Sequence, residues 1–251
     1  MATAAEETAG FQDVAFTADV DKTTQHYVLL PPAGYRPGEV HDLLIGLHGA
    51  TFDRWQVVKD PRDECRAMRD AAARHNMVLV SPDYRAPVSW MSPSAEADVL
   101  QIVETLRGQY RVGRVFVTGG SMGGTGCLVL AAMHPGLVAG VASMNGMANM
   151  FEYAGQFAEA LAKAYGGTRA QVPMVYKERS AEYWPERLTM PVAFTAGGKD
   201  EAVPPASVLR LASVLKSLDR PVLMIYREAG GHATDYADAT AILEFVIEKA
   251  R

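Results

Sequence analysis

Three residues whose types can support nucleophilic catalysis, Ser121, Asp200 and His232, occur in that order along the chain. Each stands in a glycine-containing loop after its own apolar run, and the carboxyl ends of parallel strands meet at one edge of a sheet. A serine hydroxyl becomes an effective nucleophile when an imidazole takes its proton and a carboxylate orients that imidazole. The pattern therefore predicts Ser121 as nucleophile, His232 as base and Asp200 as acid. Glu201 is the alternative acid, although it lies one residue farther from the apolar run.

The residues around Ser121 predict how it is presented. Residues 119–124 read Gly-Gly-Ser-Met-Gly-Gly, after a β-branched and aromatic run at 115–118 and before small and apolar residues at 125–134. This order predicts a strand, a tight turn and a helix, with Ser121 in a strained backbone conformation at the turn. The glycines at 119, 123 and 124 would let strand and helix cross closely. Taken alone, the motif also fits a glycine-rich turn that serves only packing.

A second loop offers groups that would stabilise a negative charge. His48-Gly49-Ala50-Thr51 follows the apolar run at 43–47. We expect the backbone N–H groups of Ala50 and Met122 to form an oxyanion hole, with Thr51 beside it.

The elements that must position these loops alternate along the chain. Apolar runs and helical patterns follow one another about six times with short joints, which predicts an α/β fold with a mostly parallel sheet and helices on both faces. Residues 11–17 and 24–30 precede them as an expected antiparallel pair, and Ser94 is expected to cap a helix. The other strands are expected near 43–47, 77–80, 115–118, 137–144, 192–194 and 222–225.

The alternation lapses over residues 146–190. Long irregular insertions in compact domains tend to be lids or binding loops, so we expect a single domain over 1–251 whose insertion is a small cap over the site. Trp90, Tyr183 and Trp184 are then expected to contact the substrate together with Thr51. The alternative is that the insertion only packs against the domain and covers an edge of the sheet.

Composition excludes several classes of function. The 251 residues carry 24 basic and 29 acidic side chains, a net charge of −5, and no run of Lys or Arg, which argues against a nucleic-acid partner or a polybasic membrane patch. No apolar stretch approaches the ~20 residues of a membrane-spanning helix. The two cysteines have no metal-ligand spacing, so no metal is expected. Residues 1–7 lack a signal-peptide pattern, so the compartment stays open: cytoplasmic as sequenced, or secreted if a leader has been removed.

These motifs resemble those of the α/β-hydrolases over nearly the whole chain from Tyr27 onward. The resemblance is closest to bacterial esterases of the polyhydroxybutyrate-depolymerase, feruloyl-esterase and acetyl-xylan-esterase kind, and to the catalytic domain of prolyl-oligopeptidase-like hydrolases. It implies the α/β-hydrolase fold, the roles given above to Ser121, Asp200, His232, Ala50 and Met122, and no cofactor. It also places the helices bearing the two cysteines on opposite faces of the sheet, which argues against a disulfide. The matching sequences are 48–50, 95–99, 118–124, 200–204 and 231–232.

The predicted function is that of a serine carboxylesterase that works through an acyl-enzyme. Acetyl or feruloyl esters of carbohydrates are candidate substrates by analogy with the family. The first alternative is a small serine aminopeptidase or oligopeptidase, although no propeller precedes the hydrolase motifs. The second is a binding protein on the same fold with an idle triad. The oligomeric state stays open.

Overall fold

A computed structural model describes residues 10–33, 35–36 and 38–250 of the chain. Within them, eight strands form one sheet in the order β1-β2-β4-β3-β5-β6-β7-β8, which confirms the predicted α/β-hydrolase fold. β1 pairs antiparallel with β2, and β2 antiparallel with β4, while every later pairing is parallel. Residues 1–7, whose sequence lacks a signal-peptide pattern, lie outside the described residues. The strands are β1 Gln12–Thr17, β2 Thr24–Leu30, β3 Val40–Leu47, β4 Val78–Pro82, β5 Arg111–Gly120, β6 Gly140–Met144, β7 Val192–Gly197 and β8 Val222–Arg227.

Helices cover both faces of this sheet, and that coverage explains why its central strands are apolar without alternation. On β5, Val117 packs into the core on one face and Phe116 into the core on the other. Helices α2 (Asp63–Arg74) and α8 (Tyr236–Lys249) close the Phe116 face, and the opposite face is closed by α3 (Pro93–Gln109), α4 (Met122–Met133) and α7 (Ala206–Ser217).

Helix boundaries differ from the predictions where proline intervenes. The prediction that Ser94 caps α3 is wrong: Ser92 is the cap and accepts a hydrogen bond from the Ala95 N–H, because Pro93 is well suited to the first helical position. Helix α2 begins at Asp63, after Pro61, and a separate short helix α1, Trp55–Lys59, comes before it. No helix in the described part of the chain is long and apolar enough to cross a membrane.

The segment between β6 and β7 consists of short helices anchored on the loop before α3. The Tyr165 hydroxyl donates to the Trp90 carbonyl at 2.8 Å, and the buried Arg179 donates from Nε to the Met91 carbonyl at 3.0 Å. Arg179 also pairs with Glu96 of α3. These contacts hold the segment against the main sheet domain; its role as a cap stays a prediction. Its elements are α5 Ala158–Tyr165, α6 Pro173–Glu178 and three single turns of 3-10 helix at Met150–Glu152, Ala181–Tyr183 and Pro185–Arg187.

Candidate active site

Ser121 occupies a strained turn between β5 and α4. Its φ of 58° and ψ of −119° lie in a region that non-glycine residues rarely adopt. The turn is tight because α4 crosses β5 and the end of β3 without side chains between them: a Cβ on Gly119 would lie 2.7 Å from the Gly123 carbonyl carbon, and one on Gly123 would lie 2.1 Å from the Leu47 carbonyl oxygen. The Ser121 N–H donates to the Met144 carbonyl at 2.8 Å, which fixes the turn to β6.

The structure brings Ser121, His232 and Asp200 into one hydrogen-bonded row. His232 Nε2 lies 2.9 Å from Ser121 Oγ, and His232 Nδ1 lies 2.6 Å from Asp200 Oδ2. The Asp200 side chain is 1% exposed, and its Oδ1 accepts from the N–H groups of Ala202 and Val203 at 3.0 and 2.8 Å. An ionised Asp200 accepts the proton of Nδ1 and so leaves Nε2 free to accept the serine proton.

Polar residues that the sequence analysis did not select support the loop that carries His232. Asn145, at the end of β6 with a φ of 45°, donates from Nδ2 to Thr234 Oγ1 at 2.9 Å. Thr234 Oγ1 lies 2.6 Å from Thr195 Oγ1 of β7. A Cβ on Gly197 would lie 2.2 Å from the Gly231 carbonyl oxygen, so this glycine permits the end of β7, which leads to Asp200, to contact the loop that carries His232. The sequence signal for this support is the Asn-Gly pair at 145–146, which directly follows the strand expected near 137–144.

Among the residues that the structure describes, neither of the two predicted oxyanion donors, the N–H groups of Ala50 and Met122, is engaged in a hydrogen bond. The Gly49 N–H donates to Gln56 Oε1 at 2.7 Å, and the Thr51 N–H donates to the Pro87 carbonyl at 2.9 Å. Within the described residues the intervening Ala50 N–H has no acceptor, and neither has the N–H of Met122 at the start of α4. Ala50 lines the cleft together with Ser121, and Met122 follows Ser121 directly in the chain, so two unpaired donors near the nucleophile are suited to an anionic oxygen.

A cleft of about 570 Å³ opens over this row of residues. Thr51 and Trp90 line it, as expected, and the part of the insertion that reaches it is 153–157. The structure does not bring Tyr183 or Trp184 into the cleft. Trp184 donates from Nε1 to the Lys177 carbonyl at 3.0 Å, and Tyr183 is 43% exposed, because their 3-10 turns pack against α6 instead.

Burial changes the titration of two further groups in the cleft wall. Burial raises the pKa of the Cys65 thiol to about 12, and it also raises the pKa of Glu64. Both residues belong to the first turn of α2. No group of three or more His, Cys, Asp or Glu side chains within the described residues is arranged to hold a metal ion.

Comparison with known families and proteins gives one match to a family. Residues 95–249 match the profile of the prolyl oligopeptidase family. This range includes all three residues of the hydrogen-bonded row, but it begins after the Ala50 loop. No curated protein matches the sequence significantly.

Solved structures share the fold at low sequence identity. S-formylglutathione hydrolase from Staphylococcus aureus superposes with a TM-score of 0.71 at 15% identity, and the match covers 96% of this chain and 98% of that one. An esterase from Pyrococcus furiosus gives 0.68 at 15% identity, with coverage of 96% and 93%. Acylaminoacyl peptidase from Pyrococcus horikoshii gives 0.67 at 16% identity; the match covers 95% of this chain but only 41% of the peptidase.

Proposed function

Because the chain belongs to the prolyl oligopeptidase family and is a serine hydrolase, we propose that it hydrolyses carboxylic esters through an acyl-enzyme on Ser121. The observation that carries this proposal is the row from Ser121 Oγ through His232 to Asp200, with spacings of 2.9 and 2.6 Å. Both distances are within hydrogen-bonding range before any substrate is bound.

The proposed reaction has two steps. In the first, Ser121 Oγ bonds to the ester carbonyl carbon while His232 Nε2 takes the hydroxyl proton, and the carbonyl oxygen becomes an anion facing the N–H groups of Ala50 and Met122. Collapse of this intermediate breaks the bond to the alcohol oxygen, which takes the proton from His232. In the second step, water loses a proton to His232 and attacks the acyl carbon; the bond from that carbon to Ser121 Oγ then breaks, Oγ takes the proton back from His232, and the carboxylic acid leaves.

Asp200 acts on His232 rather than on the substrate. It is buried and accepts three hydrogen bonds, so it holds the ring with Nε2 toward Ser121 and stabilises the imidazolium that forms at each step. Glu201 lines the cleft but is exposed and makes no such contact, which favours Asp200 as the acid.

Ester specificity is supported by S-formylglutathione hydrolase and the Pyrococcus esterase, because the chain matches both over nearly their whole length. At 15% identity this likeness is one of fold alone. Peptide hydrolysis is the second candidate, because the family profile that matches residues 95–249 is that of a peptidase family. Acetylated sugars and methyl ferulate are further candidate substrates, because the sequence motifs resemble those of esterases that act on carbohydrate esters.

A direct comparison of substrates tests the proposal. We expect p-nitrophenyl acetate and butyrate to be hydrolysed with a higher kcat/KM than an aminoacyl p-nitroanilide, and Ser121→Ala to abolish both activities. Ser213→Ala, an exposed serine of α7, is the matched control and should retain wild-type rates. Faster turnover of the anilide would overturn the ester assignment in favour of the peptidase.

A further inference from the structure

Glu64 is a carboxyl group in the wall of the catalytic cleft that the mechanism above does not use. It stands in the first turn of α2 and lines the cleft together with Ser121 and His232. Its Oε1 lies close to the backbone before the nucleophile, since a Cβ built on Gly120 would be 3.7 Å from it. A group at this position shares the cleft with any ester bound at Ser121.

The Glu64 carboxyl has no side-chain partner. Among the described residues, no side chain donates a hydrogen bond to it, and its only donor is its own backbone N–H. The neighbouring Arg62 directs its guanidinium elsewhere: Nε and Nη2 donate to Asp60 Oδ2 at 2.9 and 2.5 Å. Burial raises the pKa of Glu64, and the negative charge of Asp60 raises it further, while the charges of Arg62 and His232 act in the opposite direction.

The surroundings of Glu64 define what it would bind. The charged residues that line the cleft are Arg62, Glu64, Glu201 and His232, and Asp60 already balances Arg62. The excess charge of the cleft is therefore negative. Apolar side chains lie beside Glu64 in the same wall, namely Val57, Cys65 and Met68. An ammonium group on the bound substrate would supply the missing partner of Glu64.

We propose that Glu64 binds a positively charged group of the substrate, so that esters carrying an ammonium group are preferred over neutral esters of the same shape. This inference rests on the proposed ester hydrolysis at Ser121. It makes Glu64 a specificity-determining residue that acts on the bound substrate and takes no part in proton transfer.

A purely structural role for Glu64 would give a different result. An acidic residue in the first turn of a helix stabilises that helix through the helix dipole. On that account, replacing Glu64 would lower thermal stability and would affect cationic and neutral esters equally. The ratio of the two activities separates the roles, because any change in folding or in His232 affects both substrates alike.

Two isosteric substrate pairs measure this ratio. The acyl-side pair is β-alanine p-nitrophenyl ester against p-nitrophenyl butyrate, and the alcohol-side pair is acetylcholine against 3,3-dimethylbutyl acetate. We expect the wild type to favour the cation in at least one pair by about 10-fold in kcat/KM, and Glu64→Gln to remove that preference. Glu104→Gln, an exposed residue of α3, changes the net charge equally and should leave the ratio as in the wild type.

Equal ratios in the wild type and Glu64→Gln for both pairs would overturn the inference, as would a wild-type preference for the neutral esters. If Glu64→Gln does not fold, the wild-type ratio is measured from pH 8 down to pH 4.5. Protonation of Glu64 at low pH should then bring the ratio of kcat/KM for the cationic ester to that for the neutral ester toward one. A ratio that does not change with pH would also overturn the inference. Failure of the wild type to hydrolyse any of the four esters would instead overturn the proposed function.

Discussion

Replacing Gly123 with alanine tests the close approach of β3 to α4 that shapes the catalytic turn. The new methyl carbon would lie 2.1 Å from the Leu47 carbonyl oxygen and 2.9 Å from the His48 carbonyl oxygen. The first distance is about 0.9 Å inside the 3.0 Å that real Cβ contacts respect, and both obstacles are backbone atoms that cannot rotate away. The strand and the helix must therefore separate.

That separation has consequences for both stability and rate. Overpacking of this kind costs about 1–3 kcal/mol of folding free energy. Gly123 follows Met122 directly, and Leu47 and His48 lead into the Ala50 loop, so the separation should move the two proposed oxyanion donors apart. Misplacing one such donor lowers kcat by about 100-fold. We expect both effects in Gly123→Ala, measured as kcat/KM for p-nitrophenyl acetate and as the Tm of unfolding.

Two other glycines supply graded controls. A Cβ on Gly126 would meet only the movable tips of Leu47 and Met91, at 3.1 and 3.3 Å, and a Cβ on Gly108 of α3 would meet nothing within 4 Å. We expect Gly108→Ala to raise stability by up to about 1 kcal/mol through helix propensity, Gly126→Ala to lower it slightly, and Gly123→Ala to lower it most. A Gly123→Ala protein with wild-type Tm and kcat/KM would refute the reasoning.

Three further predictions concern the buried charges and thiols. Asp200→Asn should lower kcat by about 10⁴-fold because the wrong tautomer of His232 is then favoured, with little change in Tm; activity within 10-fold of wild type would contradict this. Cys65 and Cys127 should resist Ellman's reagent at pH 8 in the native protein and react after unfolding, because burial raises the pKa of both thiols and the thiolate is the reactive form. Arg179→Leu should cost about 1.5–3 kcal/mol in urea denaturation, since it removes a buried, charge-assisted hydrogen bond to Glu96, which keeps His134 as its other partner; a loss below about 0.5 kcal/mol would contradict this.

Patterns that follow from local chemistry could be predicted from the sequence. The apolar runs that lead to the Ser121 turn and the Asp200 loop could be predicted as strands, because a strand that is covered on both faces is apolar throughout and does not alternate with polar residues. The Gly119 and Gly123 positions were predicted because a close crossing excludes a Cβ, and the structure shows the obstructing carbonyl. Ser121, Asp200 and His232 could be predicted to meet because each follows its own strand, and the carboxyl ends of parallel strands lie at one edge of the sheet.

Features that depend on tertiary packing could not be predicted in this way. Tyr183 and Trp184 were expected in the cleft because of their residue type, but the sequence carries no signal for the direction in which the insertion folds, and it places 153–157 there instead. Asn145 and Glu64 are ordinary residues at a strand end and a helix start. Their significance arises only from neighbours that are distant along the chain, such as Thr234 for Asn145.

Labelling with a fluorophosphonate probe tests the central claim most directly. The claim is that His232 activates Ser121 as a nucleophile in the folded protein. We predict that the probe modifies one site in the native protein, on the tryptic peptide 115–163 at Ser121, and that labelling disappears in Ser121→Ala and His232→Ala and after denaturation. Native protein that stays unlabelled, or label found on another residue, would contradict the account.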